Sequence, residues 1–190
     1  MPLSAPAARE PIHTRRVTCD GFRRADGLWD IEGHLVDTKS YEFRNEFRGA
    51  ITPGTPIHQM RIRLTVDDGL AIVAVEAATE HGPYALCPEI APGFQALVGL
   101  SIGPGFTRAV KERLGGTKGC THLVELLGPM ATTAFQTVFP ILSRERAAEA
   151  EAEAGPKQRP VLLDSCHVFA ADGDHARRHW PDFYTGPRQG

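Results

Sequence analysis

The chain has 190 residues, and its 21 Lys and Arg against 23 Asp and Glu give a formal net charge of -2 at pH 7. This length suits one ordinary domain with a sizeable core. A nearly neutral chain lacks the broad positive field that attracts nucleic acid or an anionic membrane, so we expect neither as a partner. The N-terminal residues lack the apolar run of a signal peptide, which predicts a cytoplasmic protein.

Four cysteines, Cys19, Cys87, Cys120 and Cys166, lie far apart without a CxxC spacing. This pattern argues against a disulfide framework and against a zinc ribbon. We therefore expect free thiols.

Residues 12–81 are expected to form an antiparallel β-meander, because they are rich in β-branched and aromatic residues separated by turn sequences. Two four-residue turns end in Gly27 and Gly69, where a hairpin with a glycine bulge requires a positive φ. The expected strands cover residues 12–22, 28–39, 56–67 and 70–80.

Residues 88–154 are expected to form the helical part. Its predicted helices cover residues 88–100, 105–114 and 122 to about 138, the last of them capped by Thr121 and kinked at Pro129. Residues 155–190 are predicted to be a C-terminal tail that docks on the body through its aromatic side chains. The predicted fold is therefore a single α+β domain over residues 1–190, with the antiparallel sheet of the N-terminal half packed against C-terminal α-helices.

The position of Glu76 depends on the turn that ends at Gly69. Strand alternation puts His58 on the apolar face of its strand. A three-residue turn would place Glu76 opposite Met60 on that same face, beside His58. A two-residue turn would place it opposite Arg61 on the outer face, as a cross-strand ion pair. We favour the three-residue turn and an inward Glu76.

The segment GGTKGCTHLVEL gathers Cys120, His122 and Glu125 at the start of a helix. The free N–H groups and positive dipole end there can perturb the proton affinity of each group. Ionisable side chains on inner faces or element ends suit acid–base chemistry. The predicted catalytic residues are His58, Glu76, His122 and Glu125.

A substrate phenolate or carboxylate would need cationic or hydrogen-bonding partners. The residues predicted to bind it are Arg61, Lys118, Tyr41 and Cys120. Arg15 and Arg16 are expected to be strand-surface charges, with a bidentate carboxylate clamp as the alternative.

No cofactor is expected. The alternative is a metal held by Cys120, His122 and Cys166, although their spacing matches no usual chelating motif. A nucleophilic Cys120 is a further alternative, supported by its place at a helix start but without an evident triad.

Four segments occur in order and resemble the bacterial family called domain of unknown function 2889: DGLWDIEGHLVDTKSY (residues 26–41), HQMRIRLTVD (58–67), GPGF (103–106) and GCTHLVEL (119–126). The resemblance extends from residue 13 to about residue 184. The family name implies no established activity, but the association of its members with genes for aromatic-acid catabolism implies an aromatic substrate, with lignin as one source.

These observations predict a cofactor-independent lyase or isomerase that acts on an aromatic small molecule. The alternative is a non-catalytic metal- or ligand-binding module, or an accessory subunit. A homodimer formed through an edge strand is compatible with both.

Overall fold

The computed structural model describes residues 2–150 and 159–187. It divides into two compact units, Met1–Glu145 and Arg146–Gly190, which are described separately below. An antiparallel sheet fills the N-terminal half and helices follow it, so the predicted α+β class is confirmed.

Six strands precede the helices: β1 (His13–Arg23), β2 (Trp29–Lys39), β3 (Phe43–Asn45), β4 (Gly49–Ile51), β5 (His58–Val66) and β6 (Ile72–His81). Four of them form one antiparallel sheet in the order β1-β2-β5-β6. These are the four predicted strands, within a few residues at each end. The short β3-β4 hairpin was not predicted, because three-residue strands are too short to show an alternating pattern.

The helical part contains a 3-10 segment (Cys87–Leu97), α1 (Phe106–Leu114) and α2 (Thr121–Ala150). Helix α2 begins at Thr121, one residue before the predicted start at residue 122, so the predicted cap is its first residue. It continues through Pro129 and Pro140, so the expected end near residue 138 is wrong. The residues after Pro140 are mostly Arg, Glu and Ala, whose high helix propensity favours continuation of the helix. Among the described residues, no helix combines the length and apolar character needed to cross a bilayer.

The inner face of the sheet carries the core of the first unit. Burial alternates along β2, so that Trp29, Ile31 and Leu35 are fully buried on this face. Helix α2 adds buried side chains from its first turns: Leu123, Leu126, Leu127 and Met130.

Gly33 permits the close approach of α2 to β2. A Cβ atom at Gly33 would lie 2.5 Å from Sδ of Met130 and 2.9 Å from Cγ of Leu126. A larger residue at this position would push the helix away from the sheet.

The register between β5 and β6 pairs Glu76 with Arg63 on the outer face. The prediction of an inward Glu76 beside His58 is therefore wrong. An outer-face ion pair is present, with Arg63 Nη1 3.3 Å from Glu76 Oε2, rather than with Arg61. The Glu76 side chain is 77% exposed.

The turn before β6 explains this register. The carboxylate of Asp67 accepts hydrogen bonds from the backbone N–H groups of Gly69 and Ala71. The positive φ falls at Leu70 (61°), not at Gly69. The turn is consequently longer than either predicted form, and an irregularity between Thr65 and Val66 shifts the pairing further.

The second unit contains α3 (Asp174–His179), between two short 3-10 turns. The ring of His175 makes edge contacts with Phe169 and Trp180, with centroids 4.9 Å apart in each case. Residues 151–154 of the predicted helical part and residues 155–158 and 188–190 of the predicted tail lie outside the described residues. The docking of this tail stays a prediction.

Candidate active site

Six polar side chains meet at one end of the inner face, and we call them the Asp37 cluster: His13, whose Nε2 lies 3.4 Å from Asp37 Oδ1, with Arg15, Asp37, His58, His122 and Glu125. The antiparallel register places Arg15 of β1 and His58 of β5 directly opposite Asp37 of β2. His122 and Glu125 come from the first turns of α2. The cluster therefore depends on both strand register and helix placement.

Asp37 is the centre of the cluster, and its side chain is 1% exposed. Arg15 donates to both carboxylate oxygens, from Nε to Oδ1 and from Nη2 to Oδ2, each at 2.8 Å. Burial raises the pKa of Asp37, but the hydrogen bonds and charge of Arg15, with His58, outweigh burial and hold the pKa below its usual value. Asp37 is therefore ionised at neutral pH.

Arg15 contacts two carboxylates in this arrangement. Its remaining terminal nitrogen, Nη1, donates to Glu125 at 2.5 Å, and its hydrogen bond to Asp37 is the main reason that its pKa is raised. The Arg15 side chain is 34% exposed and that of Glu125 is 54% exposed. Arg15 thus supports Asp37, and each of its three nitrogens already donates to a protein carboxylate.

The two imidazoles stack on each other beside Asp37. Their ring centroids are 3.7 Å apart with an interplanar angle of 29°. His58 Nδ1 lies 3.0 Å from Asp37 Oδ2, and His122 Nε2 lies 4.0 Å from the same oxygen.

Burial is the main cause that lowers the pKa of both histidines. The neighbouring His122 lowers the pKa of His58 further, and Arg15 does the same for His122, while Asp37 acts in the opposite direction on each. Both rings are therefore neutral near pH 7. Because ionised Asp37 can only accept, the proton of neutral His58 lies on Nδ1, which leaves a lone pair on Nε2.

Four of the eight predicted site residues come together here. His58, His122 and Glu125 belong to the cluster, and the Sγ atom of Cys120 lies 3.9 Å from His122 Nδ1. Cys120 immediately precedes α2, as predicted, and its thiol is free and partly buried.

The other four lie elsewhere. Arg61 and Glu76 are on the outer face of the sheet, opposite to the cluster. Lys118 donates from Nζ to the backbone carbonyl of Glu112 at 3.2 Å. Tyr41 is exposed beyond the end of β2.

Sequence reasoning missed Asp37 and expected Arg15 to be a surface charge. The signal for Asp37 was present, because it continues the inward alternation of Trp29, Ile31 and Leu35 in β2. An acidic residue at an inward position requires a partner, and the residues opposite it supply one.

The cluster also fits the donor set of a divalent metal. Ligand atoms of Asp37, His58 and His122 all lie within 4.8 Å of one another. Neutral imidazoles and a carboxylate are common ligands of zinc and iron. However, both Asp37 oxygens already accept from Arg15, whose positive charge opposes a second cation. The predicted alternative set of Cys120, His122 and Cys166 shares only His122 with this group.

Two cavities are formed by other parts of the described chain. One of about 610 Å³ belongs to the second unit, and one of about 240 Å³ lies on the outer face of the sheet. The expected concave site between sheet and helices stays a prediction.

Comparison with known proteins adds one finding. No curated protein and no solved structure matches the chain significantly. A family model described as protein of unknown function (DUF2889) matches residues 13–136, a range that includes every member of the Asp37 cluster. The chain therefore belongs to this family of proteins of unknown function, DUF2889.

Proposed function

We propose that the protein is a cofactor-independent acid–base enzyme of the lyase or isomerase type, with His58 as its general base. One observation carries the proposal: His58 Nδ1 lies 3.0 Å from a buried carboxylate that Arg15 holds ionised. A neutral imidazole oriented in this way presents an unprotonated Nε2 to a reactant.

In the proposed reaction, His58 Nε2 removes a proton from the substrate and the ring becomes an imidazolium. Asp37 stabilises that cation without taking the proton, because Arg15 keeps the carboxylate ionised. In an isomerisation the proton returns to a different substrate atom, and in an elimination it passes to the leaving group. Neither step requires an oxidant or a reductant.

His122 acts as a positioning residue. Its ring stacks on His58 and fixes the plane in which Nε2 points. Burial is the main cause that lowers the pKa of His122 and favours its neutral form. Arg15 and Asp37 are positioning residues in the same sense.

The aromatic nature of the substrate, with lignin as one source, is part of the proposal and comes from the family resemblance. A cytoplasmic location is also proposed, and the four free cysteines agree with a reducing compartment.

The test is proton exchange and turnover in deuterated water, followed by proton NMR with a panel of phenolic acids and biaryl compounds. We expect the wild-type protein to exchange or convert at least one compound. His58→Gln should abolish this activity, whereas His81→Gln, a matched change of an exposed histidine at the end of β6, should leave it intact. Activity that survives His58→Gln would contradict the proposal, and so would a panel that stays inert.

A divalent-metal-binding module is the second candidate, favoured by the spacing of Asp37, His58 and His122. Elemental analysis of protein purified without added metal distinguishes the two. We expect substoichiometric metal. Stoichiometric zinc or iron that is lost in His58→Gln would replace the acid–base proposal with the metal-binding one.

A further inference from the structure

The outer face of the sheet carries a second set of aligned polar side chains. Cross-strand pairing places Thr18, His34, Arg61 and Ala78 opposite one another on β1, β2, β5 and β6, and we call them the outer row. All four line the cavity of about 240 Å³. Strand alternation puts this row on the side of the sheet opposite to Asp37.

The polar groups of the outer row keep hydrogen-bonding capacity for a ligand. His34 Nε2 is buried and has no hydrogen-bond partner among the described residues. The hydroxyl of Thr18 likewise makes no hydrogen bond within residues 2–150 and 159–187. Arg61 donates from Nε to Glu80 at 2.8 Å, which leaves both terminal nitrogens for another acceptor. Buried polar groups are rarely left unpaired, so His34 Nε2 requires a partner, whereas Thr18 and Arg61 are exposed and can reach water.

The neighbouring row holds one cation, Arg63, and three carboxylates, Asp20, Glu32 and Glu76. Arg63 contacts Glu32 at 2.7 Å and Glu76 at 3.3 Å, and Asp20 lines the same side of the cavity. This row therefore carries an excess of negative charge. The cationic donors that remain for a ligand belong to Arg61.

We propose that the outer row binds the carboxylate of a small monocarboxylic acid. The terminal nitrogens of Arg61 form a planar fork that matches a carboxylate. Neutral His34 donates from Nε2 to one of its oxygens, and the Thr18 hydroxyl can donate as well. The acidic row beside it disfavours a second carboxylate.

The cavity also limits the ligand. A volume of about 240 Å³ is below that of pockets for drug-sized molecules, which start at roughly 300 Å³. A single-ring acid such as benzoate is of suitable size. Because His34 Nε2 is buried, its contact with a ligand requires a side-chain rearrangement at the cavity, while Arg61, 51% exposed and held by Glu80 through Nε, keeps its terminal nitrogens at the ligand.

The experiment is a benzoate titration of the ¹⁵N-labelled full chain, followed by amide chemical shifts. We expect saturable shifts centred on Thr18, His34 and Arg61, with a dissociation constant in about the millimolar range for so small a ligand. Benzamide, which keeps the shape without the charge, should bind at least about tenfold more weakly. Phthalate should also bind more weakly, because its second carboxylate faces the acidic row.

Variants locate the site. Arg61→Gln should abolish the benzoate shifts, whereas Arg108→Gln, a matched change of an exposed arginine in α1, should retain them. Arg61→Lys, which keeps the charge but loses the planar fork, should weaken binding. His58→Gln should leave the shifts unchanged, which separates this proposal from the acid–base one.

Three results would overturn the inference. These are the absence of shifts at millimolar benzoate, shifts centred on the Asp37 cluster, and binding that is unchanged in Arg61→Gln. Tighter binding of phthalate than of benzoate would contradict the role of the acidic row.

Discussion

Asp37→Asn is the substitution that most directly perturbs the cluster. It keeps the size of the side chain but removes the charge that Arg15 and His58 share. The asparagine amide group can accept through one atom only, so one of the two 2.8 Å hydrogen bonds from Arg15 is lost. Arg15 then retains Glu125 as its anionic partner.

The expected cost follows from burial. Removing one partner of a fully buried ion pair costs about 3–5 kcal/mol, because the other charge is left unpaired. The Arg15 side chain is 34% exposed, so water recovers part of this cost. We expect the free energy of unfolding to fall by about 2 kcal/mol.

Urea denaturation at neutral pH measures this loss, with equal m values as the sign that the unfolding transition is unchanged. Glu125→Gln is the control, because it removes the exposed partner of the same arginine and should cost less than about 1 kcal/mol. If Asp37→Asn costs no more than Glu125→Gln, Asp37 is not the buried anchor of the cluster.

Three other predictions concern the first unit. The stability that neutral His58 and His122 contribute should be fully present above about pH 6.5, the pKa of histidine in the unfolded chain, and should fall as the pH drops below it. The reason is that folding lowers the pKa values of both histidines. Urea midpoints measured against pH test this, and a flat profile would contradict it. Gly33→Ala should lower the free energy of unfolding by about 1–3 kcal/mol, since its Cβ would lie 2.5 Å from Met130 Sδ. Thermal unfolding measures this, and an unchanged stability would show that α2 shifts away from β2 without cost. Glu76→Gln should lower the free energy of unfolding by less than about 1 kcal/mol, as expected of an exposed ion pair. A loss of several kcal/mol would instead support a register in which Glu76 faces the core.

The sheet could be predicted because its strands combine alternation with clear turn sequences. The register of β6 could not, because it depends on Leu70 adopting a positive φ and on Asp67 capping two backbone N–H groups. Neither feature has a strong sequence signature, since positive φ usually falls on glycine. The error at Glu76 follows from this single turn.

The candidate site was predicted in part. His58 and His122 were recognised from alternation and from the helix start, which are local patterns. Arg15 and Asp37 join them through pairing across three strands, with more than 20 residues between some partners. Such long-range pairing is not visible in local periodicity, although the inward position of Asp37 was readable from β2 alone.

The tautomer of His58 is the most direct test of the account. Long-range ¹H–¹⁵N NMR spectra of protein labelled at histidine report which ring nitrogen carries the proton. We predict a neutral ring at neutral pH with the proton on Nδ1, and loss of this preference in Asp37→Asn. A proton on Nε2 in the wild-type protein, or a ring charged at neutral pH, would contradict the assignment of His58 as the base.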